Sequence, residues 1–131
     1  VKRLKKRAEF VAAAKGARTE RRAFVIQGLR RDESEGGRRE PDARFGFTVT
    51  KKTGNSVERS RIKRRLRAAA SACAADARPG CDYVLVARRA AISLPFADLV
   101  SELAGGLARL DRALKPPVAA KDDKPPSGTS R

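Results

Sequence analysis

The sequence predicts one small mixed α/β domain of the α+β kind, a single sheet with three helices in the order α-β-β-β-α-β-α or close to it. Short runs rich in β-branched and aromatic residues lie between segments whose apolar residues recur at helical spacing. The 131 residues are 40% hydrophobic, enough for a single core. Apolar periodicity stops at about Leu114, so residues 1–114 are expected to form the domain. Residues 115–131, rich in Lys, Asp, Pro, Ser and Gly, are expected to be a disordered basic tail.

Residues 5–15, KKRAEFVAAAK, are helix formers followed by Gly16, a natural left-handed stop. Residues 22–29, RAFVIQGL, read as a strand. Residues 30–43 carry Gly-Gly and Pro among charged residues and read as a long exposed loop. Residues 44–50, RFGFTVT, alternate, with Phe45, Phe47 and Val49 on one face and Gly46, Thr48 and Thr50 on the other. An extra strand is expected in the hairpin region.

Asn55 can cap a helix, with Glu58 three residues on completing a capping box. That helix is expected over about 56–76, its apolar stripe made by Ile62, Leu66, Ala69, Ala70 and Cys73. Arg78-Pro79-Gly80 stops it. Residues 82–89, DYVLVARR, begin as a nearly continuous apolar strand. Ser93 and Pro95 then mark the start of a last helix, whose stripe is Phe96, Leu99, Val100, Leu103, Leu107, Leu110 and Leu114. Phe24, Phe45, Phe47, Tyr83 and Phe96 are all expected in the core.

The net charge is +16, and its placement matters more than its size. Residues 1–22 hold nine Lys or Arg against two Glu, and residues 51–67 hold eight against one, a net +7 in each. The segments 23–50 and 68–114 are each balanced, five against five. Two concentrated basic blocks are the footprint expected for a polyanion. On a helical wheel with Arg59 at zero, Ile62 and Leu66 fall near roughly 300° and 340°, and cations occupy nearly all the remaining circumference. Like charges so crowded destabilise an isolated helix. Five arginines in nine residues also favour bidentate phosphate contacts over diffuse attraction.

There is no histidine, and the two cysteines, Cys73 and Cys81, match no zinc spacing. They are expected as reduced thiols. Histidine-based nucleophilic and metal chemistry is excluded. No apolar run approaches membrane-spanning length, and the cationic amino terminus leads into no apolar stretch, so a cytoplasmic location without membrane contact is expected.

The run Lys52-x-Gly54-Asn55-Ser56-Val57-x-Arg59-x-Arg61-Ile62-Lys63-Arg64 resembles the signature of the bacterial ribonuclease P protein component. RLKKRAEF (3–10) resembles that family's entry into its first helix, FGFTVTKK (45–52) its strand before the signature, and DYVLVARR (82–89) its following strand. There are departures. Ser60 stands where the family often has asparagine, Ala14 where a second aromatic often lies, and Gln27 where tyrosine can stand.

The resemblance implies a non-catalytic subunit of an endoribonuclease holoenzyme that removes the 5′ leader of precursor tRNA. The RNA subunit and its magnesium ions perform the hydrolysis, and the protein supplies neither a catalytic residue nor a metal site. Its partners would be ribonuclease P RNA, met by Lys52, Asn55, Arg59, Ser60, Arg61, Lys63, Arg64 and Arg67, and the single-stranded leader. For the leader the candidates are Phe10, Lys15, Gln27, Thr48, Thr50 and Lys51, lining a cleft between the first helix and the open sheet face. Phe10 is equally readable as ordinary core packing, and the threonines as a solvent-facing strand. The resemblance also implies a left-handed βαβ crossover, against the usual hand. Two basic-protein alternatives are a ribosomal protein and an architectural DNA-binding protein. A self-sufficient nuclease is disfavoured by the lack of a visible carboxylate cluster.

Overall fold

A computed structural model describes residues 2–30, 43–78 and 80–114. The expected 30–43 loop, but for its end residues, and the expected tail lie outside the described residues. The elements are β1 (Lys2–Arg3), α1 (Arg7–Ala14), β2 (Ala17–Glu20), β3 (Phe24–Arg30), β4 (Arg44–Thr48), α2 (Ser56–Ala72), β5 (Cys81–Ala87) and α3 (Phe96–Ala113). After the two-residue β1, this is the order expected from the sequence. The sheet runs β1-β4-β5-β3-β2. β3 is antiparallel to both β2 and β5, whereas β4 is parallel to β5 and to β1. The β4-α2-β5 segment is thus a parallel βαβ unit.

Period-2 alternation divides the sheet into two faces. Phe24, Ile26, Phe45, Tyr83 and Leu85 are buried together with the seams of α2 and α3 in the main core. The Phe45 and Tyr83 rings stack at 5.4 Å within it. The opposite face carries Val84, with Leu29 and Val86 partly buried, and is covered in part by Phe10 and Ala13 of α1 and by Leu4 from the segment before it.

Several elements differ from the expectation for identifiable reasons. α1 begins at Arg7 and not Lys5, because Glu9 folds back to accept the Lys5 and Lys6 backbone N–H groups and fixes the entry there. Gly16 does not adopt a left-handed conformation; among the described residues the positive-φ glycine is Gly80. Gly16 is required for proximity, since a Cβ there would lie 2.1 Å from the Gly28 carbonyl oxygen. β2 is the extra strand: ARTE has little apolar patterning of its own and is held as an edge by pairing with β3. β4 stops at Thr48, and a 3-10 turn over Lys51–Thr53 follows. α2 ends at Ala72, before a separate 3-10 turn at Ala74–Asp76.

Phe96 is the clearest correction. It remains 43% exposed in the first turn of α3, while Leu99, Leu103, Leu107 and Leu110 are buried behind it. Phe47 is only partly buried, though packed on the core; Phe24, Phe45 and Tyr83 are buried as expected. Neither cysteine is in a disulfide, and both are buried.

Ile62 and Leu66 are fully buried in the seam that attaches α2. Leu66→Ala is expected to lower unfolding free energy by about 2–5 kcal/mol, measured by urea denaturation. A change within experimental error would mean that this seam does not anchor the helix.

Candidate nucleic-acid interface

α2 is fixed at its start by reciprocal bonds. Asn55 Oδ1 accepts from the Glu58 N–H at 2.8 Å, and Glu58 Oε1 accepts from the Asn55 N–H at 2.9 Å. Arg89, arriving from the turn after β5, closes the arrangement. It donates to Glu58 Oε2 at 2.9 Å and to the Thr53 carbonyl at 2.9 Å. The Arg89 bond, then the Asn55 N–H, hold the Glu58 carboxyl below its ordinary range. Glu58, the single acid of the 51–67 segment, is therefore engaged by a cation from outside that segment.

Arg65 is also committed to the fold. Its guanidinium donates to the Ala91 carbonyl at 3.0 Å and to the Leu94 carbonyl, tying α2 to the approach to α3. Ile62, Leu66, Ala69, Ala70 and Cys73 form the buried stripe. The rest of the helix faces outward. Arg61, Lys63, Arg64 and Arg67 are exposed, with no ion-pair or hydrogen-bond partner among the described residues. Lys51, Lys52, Asn55 and Ser60 are exposed beside them, and Arg59 is half-buried with its Nε 3.4 Å from the Asn55 carbonyl. Asn55 spends its side-chain oxygen on the cap, which leaves its amide N–H groups for a partner.

The second candidate surface is the α1 face of the sheet. Arg44 donates to both carboxylate oxygens of Asp82 at 2.9 Å and to Glu9 Oε2 at 3.1 Å. This fork ties α1 to β4 and β5 beneath it. Partial burial alone would raise the Glu9 carboxyl, but the Lys6 and Lys5 N–H groups and the Arg44 charge outweigh it and hold the group below its usual 4.5. Phe10 lies over Gly46: a Cβ at that glycine would come within 2.5 Å of the ring. The ring is half-buried, combining packing against the Leu4, Ala13 and Val84 cluster with an accessible side.

Gln27 and Thr48 are half-buried on this same sheet face, Gln27 in register with Val84 and Thr48 with Val86. Thr50 and Lys51 are exposed beyond the end of β4, where the chain passes toward α2. Lys15 is placed differently. It lines a groove with Arg7, Ala8, Val11, Ala12 and Leu29 on the other flank of α1. Five residues after Phe10, it is turned roughly 140° around the helix.

Sequence reasoning missed Arg44, Arg65 and Arg89 as structural cations. Arg44 shares the Gly46 and Thr48 face of its strand, a detectable sign, but its pairing with Asp82 depends on strand register. Among the described residues no group of three or more His, Cys, Asp or Glu is placed to hold a metal ion. Glu9, Glu58 and Asp82 are already engaged by arginines. No helix among the described residues is long and apolar enough to cross a membrane.

Fold and surface together define a class: a small α+β domain whose second helix presents cations, unpaired among the described residues, that suit a polyanion. The chain belongs to the Ribonuclease P family, which it matches over residues 1–111. It is 39% identical over 133 residues to the ribonuclease P protein component of Brucella suis, covering 91% of this chain and 94% of that one. It is 43% identical over 102 residues to that of Bartonella quintana, covering 77% of each. Among solved structures it is similar to a Staphylococcus aureus RNase P protein mutant with defective mRNA degradation activity, with a TM-score of 0.69 and 28% identity over 83% of this chain and 87% of that one. The Thermotoga maritima RNase P protein shares the fold, with a TM-score of 0.68 and 21% identity over 83% and 97% of the two chains.

The depressed Glu9 carboxyl makes stability depend on pH. A carboxyl held low in the fold contributes fully above its ordinary 4.5 and loses that contribution as pH falls through its lower folded value. Glu9→Gln should therefore melt at a lower temperature than the parent at pH 7, with the gap closing as pH drops below 4.5. A gap that stays constant under acid would remove the charge of Glu9 from the account.

Proposed function

We propose that this chain is the protein subunit of a ribonuclease P holoenzyme, gripping its catalytic RNA with α2 and the 5′ leader of precursor tRNA with the α1 face of the sheet. The observation that carries this reading is the set of exposed cations, without partners among the described residues, on a helix held by its cap and seam. Such a face repels itself in the free protein. Phosphates relieve that repulsion, and binding releases their counterions.

Arg61, Lys63, Arg64 and Arg67, with Lys52 and Arg59 at the near end, make the phosphate contacts. Asn55 and Ser60 add polar contacts that fix register. On the second surface, Phe10 supplies a face for stacking, Gln27 and Thr48 a polar floor, and Thr50 and Lys51 the exit toward α2. Lys15 attracts the leader from across α1. Hydrolysis, with its magnesium ions, is assigned to the RNA subunit. The protein raises substrate affinity and metal use by positioning.

Reconstitution with a bacterial ribonuclease P RNA tests the reading. Added protein should stimulate leader removal at low magnesium. No stimulation would favour a structural ribosomal role instead. Arg61→Ala or Arg64→Ala should weaken RNA-subunit binding and flatten its salt dependence by about one unit of slope per phosphate no longer neutralised. Phe10→Leu keeps an apolar side chain over Gly46 but removes the ring. It should leave assembly intact and weaken substrates that carry a leader, relative to mature tRNA, in a binding titration. Equal weakening of both would assign Phe10 to folding alone.

A further inference from the structure

Lys15 and Phe10 occupy different flanks of α1, turned roughly 140° from one another. The groove beside Lys15 is shallow and open to solvent, with a volume of about 640 Å³. Its lining is mostly apolar, made by Ala8, Val11, Ala12 and Leu29, with Arg7 and Lys15 beside them. Val11 is 45% exposed, one of the few large apolar side chains left open among the described residues. Neither Arg7 nor Lys15 has an ion-pair partner among those residues, and the one acid of α1, Glu9, is engaged by Arg44.

We infer that this flank of α1 is a second single-strand track, taking leader nucleotides that lie beyond those held in the cleft. The inference rests on the leader reading proposed above. An apolar floor between two cations suits a base laid flat with phosphates at either end. Eight residues at 1.5 Å rise place Arg7 and Lys15 about 12 Å apart along the helix. The groove is large enough for a nucleotide or two. Phe10 and Val11 are adjacent in the chain, so a strand leaving the cleft over the Phe10 ring needs to cross only the crest of α1 to enter the groove. Lys15 thereby acts on the leader from the flank of α1 turned away from Phe10.

The test uses holoenzyme reconstituted with ribonuclease P RNA and two precursor tRNAs, one with a short leader that reaches only the cleft and one several nucleotides longer. Affinity is measured for each and for mature tRNA. With the parent protein, the longer leader should bind about five- to tenfold more tightly than the short one. Val11→Glu places a carboxylate four residues from both Arg7 and Lys15, which supports the helix while replacing the apolar floor with a charge that competes with phosphate for the two cations. It should abolish the gain from leader length and leave short-leader affinity and protein melting temperature unchanged.

Retention of the full gain by Val11→Glu would overturn the inference. So would equal weakening of short and long leaders, or weaker assembly with the RNA subunit, either of which would give the groove to the ribozyme. A fall in melting temperature would make Val11 part of the packed structure and equally overturn it. If the parent binds the short leader more tightly than mature tRNA but gains nothing from extension, the track alone is refuted. If it does not distinguish any leader from mature tRNA, the cleft reading fails first.

Discussion

The structure depends on α2 being anchored from one side only. Ile62, Leu66, Ala69, Ala70 and Cys73 bury one stripe of the helix. The Asn55 and Glu58 cap fixes its start, and Arg65 bonds it to the approach to α3. With orientation settled by these contacts, Arg61, Lys63, Arg64 and Arg67 are left facing outward together. Their mutual repulsion costs stability, and the buried seam offsets it. A helix this basic would be a poor structural element without that seam.

The two surfaces lie on opposite sides of one thin sheet. Phe45 and Tyr83 point toward α2 and α3, while Gly46, Val84 and Gln27 point toward α1. The alternation of β4 therefore shapes both surfaces: its large residues support the arginine helix from below, and its glycine admits the Phe10 ring. Thr50, Lys51 and Lys52 continue from β4 directly into the α2 cap, so the chain itself links the two surfaces. The Arg44 fork with Asp82 and Glu9 holds α1 at a fixed position over this face, which gives the cleft and the outer groove definite walls.

Much of this is legible in the sequence because it is local. The capping box, the apolar stripes of α2 and α3 and the alternation of β4 are each set by residues a few positions apart. What stays hidden depends on register or on docking angle. Nothing in DYVLVARR says that Asp82 will face Arg44, or that Arg89 will reach Glu58. The ARTE strand has no pattern of its own and exists by pairing with β3. Phe96 begins an apolar stripe by spacing, yet it sits at the helix start, where it stays 43% exposed. Sequence alone groups Lys15 with Phe10 because both belong to one helix, and the wheel angle between them separates their surfaces.

The central claim is that the outward face of α2 meets the catalytic RNA, while the α1 side meets substrate. Site-directed photocrosslinking tests it most directly. Cys73 and Cys81 are buried, so Arg64→Cys and Phe10→Cys each add a single accessible thiol for attaching a probe. In a holoenzyme bound to precursor tRNA, the probe at position 64 should crosslink to ribonuclease P RNA and the probe at position 10 to the leader. Crosslinks from position 64 confined to the tRNA, or absent while position 10 labels the ribozyme, would contradict the account.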